Sequence, residues 1–467
     1  MKKGFESVLI FSTTKQLTQT KTFFMNKLSI NYSPFAKSIS SFSGLNLFDD
    51  LIHKFEIRNL FGGELPKKQR QRGFSSWNKF YSGILGFVAG VECLDDFDWY
   101  GNDPLFLKLT NSPSSITIGK FLRSFHPRKV EEIRNILPVL AFKIRRSLEP
   151  KVHKIIFKMD SSDHQQYGVK SEGVSYGYKK FLCLNSQNLF DDKGLLYGFK
   201  LRSGNTHSCV DATELIHETF SKIPKDIKKY FLADSAYSNM EIYNSLINHN
   251  CNFIINLKST SWKPLLTKNR KRMTWHSTRL RFFESSNCQI SSTIYPLKGL
   301  PGREFLRVVF IRTPNINPTK EENYPYRYYA VVTNMSESEI SDEKVIKFYR
   351  RRSQVENNIK DIKNGMNFHH FPCMNLKANN VWGLIGVIAY NLMRYASFAV
   401  VPDKGCFVET TRKRIVAIAG EVITHARSIE IRMMNYIYQE VCRVKAIMNS
   451  VFTVDANRLR PHDGFKT

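Results

Sequence analysis

The sequence has few acidic residues and no paired cysteines. Its 467 residues include 41 Asp and Glu against 69 Lys and Arg, which gives a formal net charge of +28. An excess of this size attracts polyanions, and nucleic acid is the commonest of them, with anionic membrane surfaces and the ribosome as alternatives. The eight cysteines form no C-x-x-C pair and lie near no histidine array. That distribution excludes the usual zinc motifs and indicates reduced thiols in a cytosolic protein.

The sequence also lacks internal repeats, long low-complexity tracts and a secretory signal. In the N-terminal stretch MKKGFESVLIFSTTKQ, Glu6 interrupts the basic start, and the apolar part is too short for a signal peptide. One run, 381–400, is apolar enough to be mistaken for a membrane span. It contains Asn391 and Arg394 and stands alone in a basic chain, which favours a buried helix. We therefore expect a cytoplasmic, nucleoid-associated protein without a membrane partner.

The pattern along the chain divides it into five segments. Residues 1–72 are weakly patterned and end in a basic run, which predicts an N-terminal arm whose cations either contact DNA or are simply solvated. Residues 73–150 have a helical pattern, in which Ser115 is placed to cap a short helix that carries Lys120 and Arg123. This arrangement is compatible with a DNA-binding domain, although small helical bundles share it. The other segments are a core of residues 151–258 and 342–450, a β-rich insertion of residues 259–341, and a tail of residues 451–467.

The order of its elements predicts that the core is α/β. VHKIIFKMD predicts a strand that ends at Asp160, two more β-rich stretches follow, and KKYFLAD predicts a fourth strand that ends at Asp234. Helical stretches separate the later strands, so the order is β-β-β-α-β-α-β, which implies a mixed sheet flanked by helices. After Lys258, about 85 residues with strand patterns and Gly or Pro turns predict an all-β insertion that interrupts the core.

A run without Gly or Pro, YRRRSQVENNIKDIK, places four chemically distinct side chains on one predicted helix face. At roughly 100° per residue, Tyr349, Arg352, Glu356 and Lys363 share an arc of about 60°. One acid would then be surrounded by a phenol and two cations. On an arbitrary helix the same pattern indicates an i,i+4 salt bridge at a solvated surface, and taken alone this run allows both interpretations.

Two acidic positions far upstream favour a catalytic interpretation. Asp160 and Asp234 lie at predicted strand ends, and Glu356 lies on a helix that follows the sheet. Carboxylates so placed can bind two divalent ions a few Å apart, and hard oxygen ligands suit Mg²⁺ or Mn²⁺. Two such ions activate a water or a 3′-hydroxyl for attack on a phosphodiester. The alternative is that each strand-terminal Asp serves a turn, and Asp163 rivals Asp160, which is preferred because it directly ends the apolar strand.

These residues resemble the motifs of a known family, the insertion-sequence DDE transposases, which cut and paste DNA with an RNase H-like catalytic core. Tyr349, Arg352, Glu356 and Lys363 match the family's Y-(2)-R-(3)-E-(6)-K signature at every spacing. MDSSDHQQYG resembles the first motif, D-x-[ST], with Ser in place of the usual Thr. LADSAYS resembles the second motif, D-x-[AG]-[YF]. The resemblance covers roughly residues 75–440.

The resemblance implies an RNase H-like mixed sheet with a helical N-terminal domain, and it assigns roles in the site. Asp160, Asp234 and Glu356 would be the catalytic residues and would hold two Mg²⁺ or Mn²⁺ ions. Arg352 and Lys363 would hold phosphates at the transposon end. Tyr349 would contact the same DNA backbone.

The resemblance also implies DNA partners. These are the terminal inverted repeats of a bacterial insertion sequence and a target DNA, which a homodimer would hold together. In some relatives a Trp of the insertion stacks on a flipped base, although a Trp is more often part of a core. The predicted DNA-binding residues are Tyr349, Arg352, Lys363, Lys120, Arg123, Trp262 and Trp275.

Two other functions are compatible with the same residues. One is a two-metal DNA nuclease with the same core and no strand transfer. The other is an inactive derivative that still binds DNA. Sequence alone does not separate the nuclease strongly from a transposase, because both use the same three acids, whereas the derivative would keep its activity when Asp160, Asp234 or Glu356 is replaced by Ala.

Overall fold

The structure, a computed structural model, describes residues 37–67, 72–269, 271–282, 285, 287–300, 303–315, 325–426 and 428–450. Residues 1–36 of the predicted arm, residues 68–71 of its basic run and the predicted tail lie outside this part of the chain.

A short strand and a group of helices form the N-terminal part of the fold. They are β1 (Ile39–Ser40), α1 (Leu45–Lys54), α2 (Ile57–Phe61), α3 (Ser76–Ala89), α4 (Asp96–Tyr100), α5 (Pro104–Thr110), α6 (Ser115–Arg123) and α7 (Pro127–Leu148). The first two helices lie where the sequence predicted a weakly patterned arm. α1 forms because Leu45, Phe48, Leu51 and Ile52 recur three or four residues apart and are buried together. Ten residues give too short an apolar stripe to stand out in the sequence.

The cap of α6 differs from the predicted one by one residue. Ser114, not Ser115, is the N-cap, and its hydroxyl accepts a hydrogen bond from the amide of Thr117. Ser115 is the first helical residue, and its amide donates to Asp98 Oδ1 at 2.9 Å. Either serine hydroxyl could cap the helix. The contact of Ser115 with Asp98 leaves the N-cap position to Ser114, and no local sequence pattern predicts that contact.

A mixed sheet occupies the centre of the fold. Its elements are β2 (Lys154–Gln165), β3 (Ser175–Tyr176), β4 (Leu182–Phe190), β5 (Leu196–Ser203), α8 (Ala212–Phe220), β6 (Lys228–Ala233), α9 (Met240–Asn248) and β7 (Cys251–Asn256). β2 pairs antiparallel with β4 and parallel with β6, β4 pairs antiparallel with β5, and β6 pairs parallel with β7. The spatial order is therefore 5-4-2-6-7. The predicted α/β fold, a mixed sheet flanked by helices, is confirmed.

The insertion extends this sheet. It contains α10 (Ser259–Asn269), β8 (His276–Thr278), β9 (Cys288–Leu300), β10 (Arg303–Pro314) and β11 (Tyr326–Thr333). β11 pairs antiparallel with β7, and β10, β9 and β8 follow outward in that order. The insertion thus opens with a helix that the all-β prediction did not include. Pro264 inside α10 hid it from the sequence pattern, because Pro disfavours a helix interior.

The C-terminal part is mainly helical. Its elements are α11 (Asp342–Tyr349), α12 (Gln354–Gly365), α13 (Leu376–Val400), α14 (Val408–Thr411), β12 (Gly420–Thr424), β13 (Ile429–Arg432) and α15 (Asn435–Ser450). α13 is long and apolar enough to cross a membrane, but 89% of its most apolar window is buried inside the protein, as expected of a core helix. It packs against α3, α7 and β5, so the N-terminal helices and the sheet share one hydrophobic core.

The two ends of the described chain meet. β1 pairs antiparallel with β12, with Ile39 opposite Glu421, and β12 pairs with β13. Just after β1, the main chain at Gly44 lies so close to the chain before β12 that a Cβ there would be 1.5 Å from the carbonyl oxygen of Ile415. Only glycine allows this approach.

We expect Gly44→Ala to lower the free energy of unfolding by about 1–3 kcal/mol, because the atoms that it would meet are backbone and cannot rotate away. Gly63→Ala is the matched control, since a Cβ at Gly63 has no atom within 4 Å. Chemical denaturation of both variants measures the difference. Equal stability of the two would contradict the close approach at Gly44.

Candidate active site

Asp160 and Asp234 lie at the same edge of the sheet. The parallel pairing of β2 with β6 ends at Lys158 and Leu232, so Asp160 comes two residues later, and Asp234 is the first residue after β6. The sequence predicted that the strand ends at Asp160, but β2 continues to Gln165 because its antiparallel pairing with β4 continues. Asp160 therefore lies where β2 leaves its parallel neighbour.

One guanidinium joins three carboxylates at this edge. Arg352 Nη2 lies 2.9 Å from Asp160 Oδ2 and 3.7 Å from Asp234 Oδ2, and Arg352 Nη1 lies 3.0 Å from Glu356 Oε1. The side chains open towards solvent in steps, with 16% of Asp160, 35% of Asp234 and 64% of Glu356 exposed. The structure thus brings together four of the predicted site residues, from the interior of β2, the residue after β6 and the helical segment that begins α12.

The helix that carries Arg352 and Glu356 is not continuous. A 3₁₀ turn, Arg350–Ser353, separates α11 from α12. A 3₁₀ turn advances about 120° per residue rather than 100°, so the single face predicted for one α-helix is lost. Tyr349 turns inward, where it is buried and its hydroxyl donates to the carbonyl oxygen of Ala233 at 3.2 Å. This bond fastens α11 to the residue before Asp234, which makes Tyr349 a positioning residue in this geometry.

Lys363 lies apart from the carboxylates. Its ammonium donates to the main-chain oxygen of Asp163, three residues beyond Asp160 on β2. The Asp163 side chain accepts from Asn185 Nδ2 at 2.8 Å and takes no part in the carboxylate cluster. Alternation along the strand explains this, because residues three apart point to opposite faces. Asp160 and not Asp163 therefore lies among these carboxylates, and Lys363 joins α12 to β2.

Lys120 and Arg123 are exposed on α6, which packs against α13. Arg123 also lies near Cys373: burial raises the pKa of the Cys373 thiol to about 11, and the charge of Arg123 offsets part of that rise. No contact described for either cation reaches Asp160 or its partners. Their role in DNA binding stays a prediction.

Trp262 and Trp275 lie half-buried in an aromatic cluster of the insertion. Trp262 is 6.0 Å from the ring of Tyr328, and Trp275 is 6.0 Å from the same ring. The guanidinium of Arg312 lies 3.9 Å from the ring centroid of Trp275 and 4.1 Å from that of Tyr326. One face of Trp275 is thereby covered. Within the described residues neither Trp contacts the three carboxylates, and base stacking by either stays a prediction.

A family model described as transposase DDE domain group 1 matches residues 25–451, nearly the whole chain. The chain belongs to the DDE transposase family. A cryo-EM structure of a piggyBac transposase synaptic complex with hairpin DNA aligns with 87% of this chain and 85% of that chain, at 10% sequence identity and a TM-score of 0.38. No curated protein matches the chain in sequence.

Burial dominates the electrostatics of the transposase site. It raises the pKa of Asp160 to about 6, while the Arg352 cation lowers that pKa and the Asp234 carboxylate raises it. Beneath the two acids lies the buried ring of Tyr237, whose hydroxyl accepts from Gln187 Nε2 at 2.9 Å. Burial raises the pKa of Tyr237 well above its usual value, so the phenol stays neutral. The neutral phenol beneath the two carboxylates supplies no positive charge, so a cation is needed to stabilise their negative charge.

We expect Asp160→Asn to stabilise the metal-free transposase at alkaline pH. The pKa of Asp160 is about 6 in the folded protein against an ordinary 3.8. The contribution of Asp160 to the stability of the folded state is therefore fully present below pH 3.8 and is lost as the pH rises through about 6. Above that window the ionised carboxylate costs about 1–3 kcal/mol, which Asn removes.

Thermal unfolding in a chelator checks this expectation. The melting temperature of the variant should exceed that of the wild type near pH 8, and the difference should shrink near pH 4. A variant that melts below the wild type near pH 8 would mean that the ion pair with Arg352 outweighs burial.

The donor set of the transposase site fits a divalent cation. Three carboxylates around one guanidinium offer the hard oxygen ligands that Mg²⁺ and Mn²⁺ prefer, and DDE transposases generally use divalent metals. In this structure the guanidinium stands between the acids. Among the described residues no group of three or more His, Cys, Asp or Glu is close enough to share an ion. Arg352 Nε is buried and has no hydrogen-bond partner in the described part of the chain, so leaving this position would cost the guanidinium less than its ion pairs suggest.

Lys158 is a residue of this site that the sequence did not reveal. It is 1% exposed, and its ammonium donates to Gln354 Oε1 at 2.7 Å, at the start of α12. Burial lowers the pKa of Lys158. Since it lies two residues before Asp160, it shares that face of β2 and joins α12 to the strand beneath it. A single Lys inside the apolar strand IIFKMD was the available signal.

Proposed function

We propose that this protein is the transposase of a bacterial insertion sequence. In this proposal it binds the terminal inverted repeats of the element, cleaves phosphodiester bonds at its ends and joins its 3′-ends to target DNA. The observation that carries the proposal is the convergence of Asp160, Asp234 and Glu356 on one cation. Acids grouped in this way are suited to binding divalent ions that act on a phosphate. The strongly basic chain indicates that this phosphate belongs to a nucleic acid.

The three acids would hold Mg²⁺ or Mn²⁺, two ions per site, once Arg352 has moved aside. Such ions activate the attacking hydroxyl and stabilise the leaving oxygen. Arg352 can exchange a carboxylate for a DNA phosphate, because a guanidinium pairs with both in the same forked geometry. Its present ion pairs keep that group at the place where the scissile strand must arrive.

Two other residues that were predicted to contact DNA instead form hydrogen bonds within the protein, next to the site. Tyr349 is bonded to Ala233, and Lys363 to the main chain of Asp163. These two contacts fix α11 and α12 at both ends of the segment that carries Glu356. We infer that they hold Glu356 opposite the two aspartates, and that Lys363 reaches a phosphate only if it gives up its bond to β2.

The partners in this proposal are double-stranded DNA and a second copy of the chain. The net charge of +28 supports the first, because binding to the phosphate backbone depends on the number of cations brought to it. A homodimer would hold the two transposon ends together. The expected location is the cytoplasm, at the nucleoid.

The test is an end-joining reaction with the full-length protein. The substrate is DNA that carries the inverted repeats found beside the gene, with a supercoiled plasmid as target and Mg²⁺ present. Transposition predicts ends released with a free 3′-hydroxyl and then joined to the plasmid. Cleavage without joining would indicate a nuclease, and binding without cleavage would indicate an inactive DNA-binding derivative.

A further inference from the structure

The loop that connects β2 with β4 exposes several aromatic rings close to the active site. We call residues 166–181 the tyrosine–lysine loop. Tyr167 is 82% exposed, Tyr176 is 67% exposed and Tyr178 is 98% exposed. Single exposed apolar residues are ordinary, but this loop exposes three large rings between residues 167 and 178, and exposed aromatic surface of this kind marks interaction sites.

The loop is also basic. Lys170, Lys179 and Lys180 are all exposed, and Glu172 is the only acid between residues 166 and 181. The Glu172 carboxylate is already used, since it accepts hydrogen bonds from the side chain of Asn375 and from the amide at the start of α13. Three cations therefore stand beside three tyrosines with no free acid among them, which suits an anionic partner.

The middle of the loop is held in place by hydrogen bonds to neighbouring segments. The amide of Glu172 donates to the carbonyl of Met374 at 2.8 Å, and Ser203 Oγ donates to the carbonyl of Gly173 at 2.9 Å. The amide of Asn205 donates to Ser175 Oγ at 2.8 Å. Because this backbone is anchored on two sides, a ligand would not have to order it, which favours affinity.

The loop continues the strand that carries the first catalytic acid. The part of β2 from Asp160 to Gln165 spans roughly 17 Å at about 3.3 Å per residue. Lys363 lies between the two places, on the main chain of Asp163, and the charge of Lys179 is close enough to lower its pKa further. A DNA strand that leaves the carboxylates along β2 would reach the tyrosines after about five nucleotides at duplex spacing.

We propose that the tyrosine–lysine loop binds unpaired bases of a DNA strand next to the active site, with its tyrosines stacking on bases and its lysines contacting phosphates. Stacking on aromatic rings beside a basic track is the common mode of single-strand binding. The bases of a duplex are stacked on one another, so a duplex would contact the lysines through its phosphates and would not stack on the tyrosine rings. A protein partner fits less well, because lysine is depleted at protein interfaces. This inference rests on the proposed action on DNA.

Binding of the full-length protein to two fluorescent DNAs in a chelator, where no cleavage occurs, tests this inference. One probe is a blunt duplex, and the other is the same duplex with two unpaired thymidine arms. Combined replacement of Tyr167, Tyr176 and Tyr178 by Ala should weaken binding to the armed probe at least about tenfold and leave the blunt duplex unchanged. Tyr436 and Tyr438, which are 66% and 55% exposed on α15, supply the matched control when replaced by Ala, with no change expected.

The lysines give a separate signature. Replacing Lys170, Lys179 and Lys180 by Gln should weaken both probes alike and reduce the slope of log affinity against log salt by about 2–3. All replaced side chains are exposed, so the melting temperature of each variant should match the wild type.

Two results would overturn the assignment. One is a tyrosine variant that keeps the full preference for the armed probe. The other is a tyrosine variant whose oligomeric state changes while both affinities stay the same, which would make the loop a protein interface. A wild type that shows the tyrosine-dependent preference but never cleaves an element end would contradict the proposed function and leave the loop assignment intact.

Discussion

The Asp160→Asn protein is expected to bind transposon ends as well as the wild type and to cleave them at least about 10³-fold more slowly. A metal-assisted step owes several kcal/mol of charge stabilisation to its ions, and each 1.36 kcal/mol is a factor of ten in rate. Asn keeps the shape of the side chain and removes one charged ligand. The same loss is expected for Asp234→Asn and for Glu356→Gln, since all three acids pair with the same guanidinium.

Asp163→Asn is the matched control for this prediction. It lies on the same strand, but its side chain faces Asn185, and Lys363 contacts only its main chain. We expect its cleavage rate to stay within a few-fold of the wild type. Gel-based cleavage of a labelled end in Mg²⁺, paired with binding of the same DNA in a chelator, separates catalysis from affinity. If Asp163→Asn were inactive and Asp160→Asn active, the assignment of the first acid would be wrong.

Arg352→Ala is expected to make folding depend on divalent ions. In the wild type the guanidinium offsets part of the charge of the three acids, so its removal leaves Asp160 and Asp234, both largely shielded from solvent, without that cation. The loss should reach about 3 kcal/mol in a chelator, as when one partner of a buried ion pair is removed. Millimolar Mg²⁺ or Mn²⁺ should restore most of it, because an ion can enter without first displacing Arg352.

Thermal unfolding against Mg²⁺ concentration measures this effect, with Arg351→Ala as control. Arg351 is exposed, and its guanidinium lies 5.5 Å from the ring of Phe348. The midpoint of the Mg²⁺ effect should shift to lower concentration in Arg352→Ala alone, while DNA cleavage falls because the phosphate contact is lost. Equal Mg²⁺ effects in all three proteins would show that Arg352 does not occupy the position of the ions.

The chemistry of the site could be predicted from sequence more fully than its geometry. Asp160 and Asp234 can be assigned to one sheet edge because the apolar stretches before them mark neighbouring strands, although β2 continues past Asp160. Tyr349 and Lys363 share one face with Glu356 only on a continuous α-helix. The 3₁₀ turn between α11 and α12 breaks that continuity, and no residue in the run RRRS forces such a turn by itself.

Other features depended on contacts between distant segments. The bond from Lys158 to Gln354 joins residues almost 200 positions apart, and no periodicity predicts it. The exposed rings of the tyrosine–lysine loop look in sequence like an ordinary turn with aromatic neighbours. Their exposure can be interpreted only once the hydrogen bonds that hold the loop are known, and these bonds join segments that are far apart in the sequence.

The pairing of β1 with β12 has a consequence for the time at which the protein can finish folding. Ile39 and Glu421 are about 380 residues apart, so at roughly 5–20 residues per second the ribosome makes the first strand about 20–80 s before its partner. Contacts of such long range also form slowly once both ends exist. A nascent chain therefore waits with the close packing at Gly44 unmade, and a translation product that stops before residue 420 lacks the strand that completes this part of the fold.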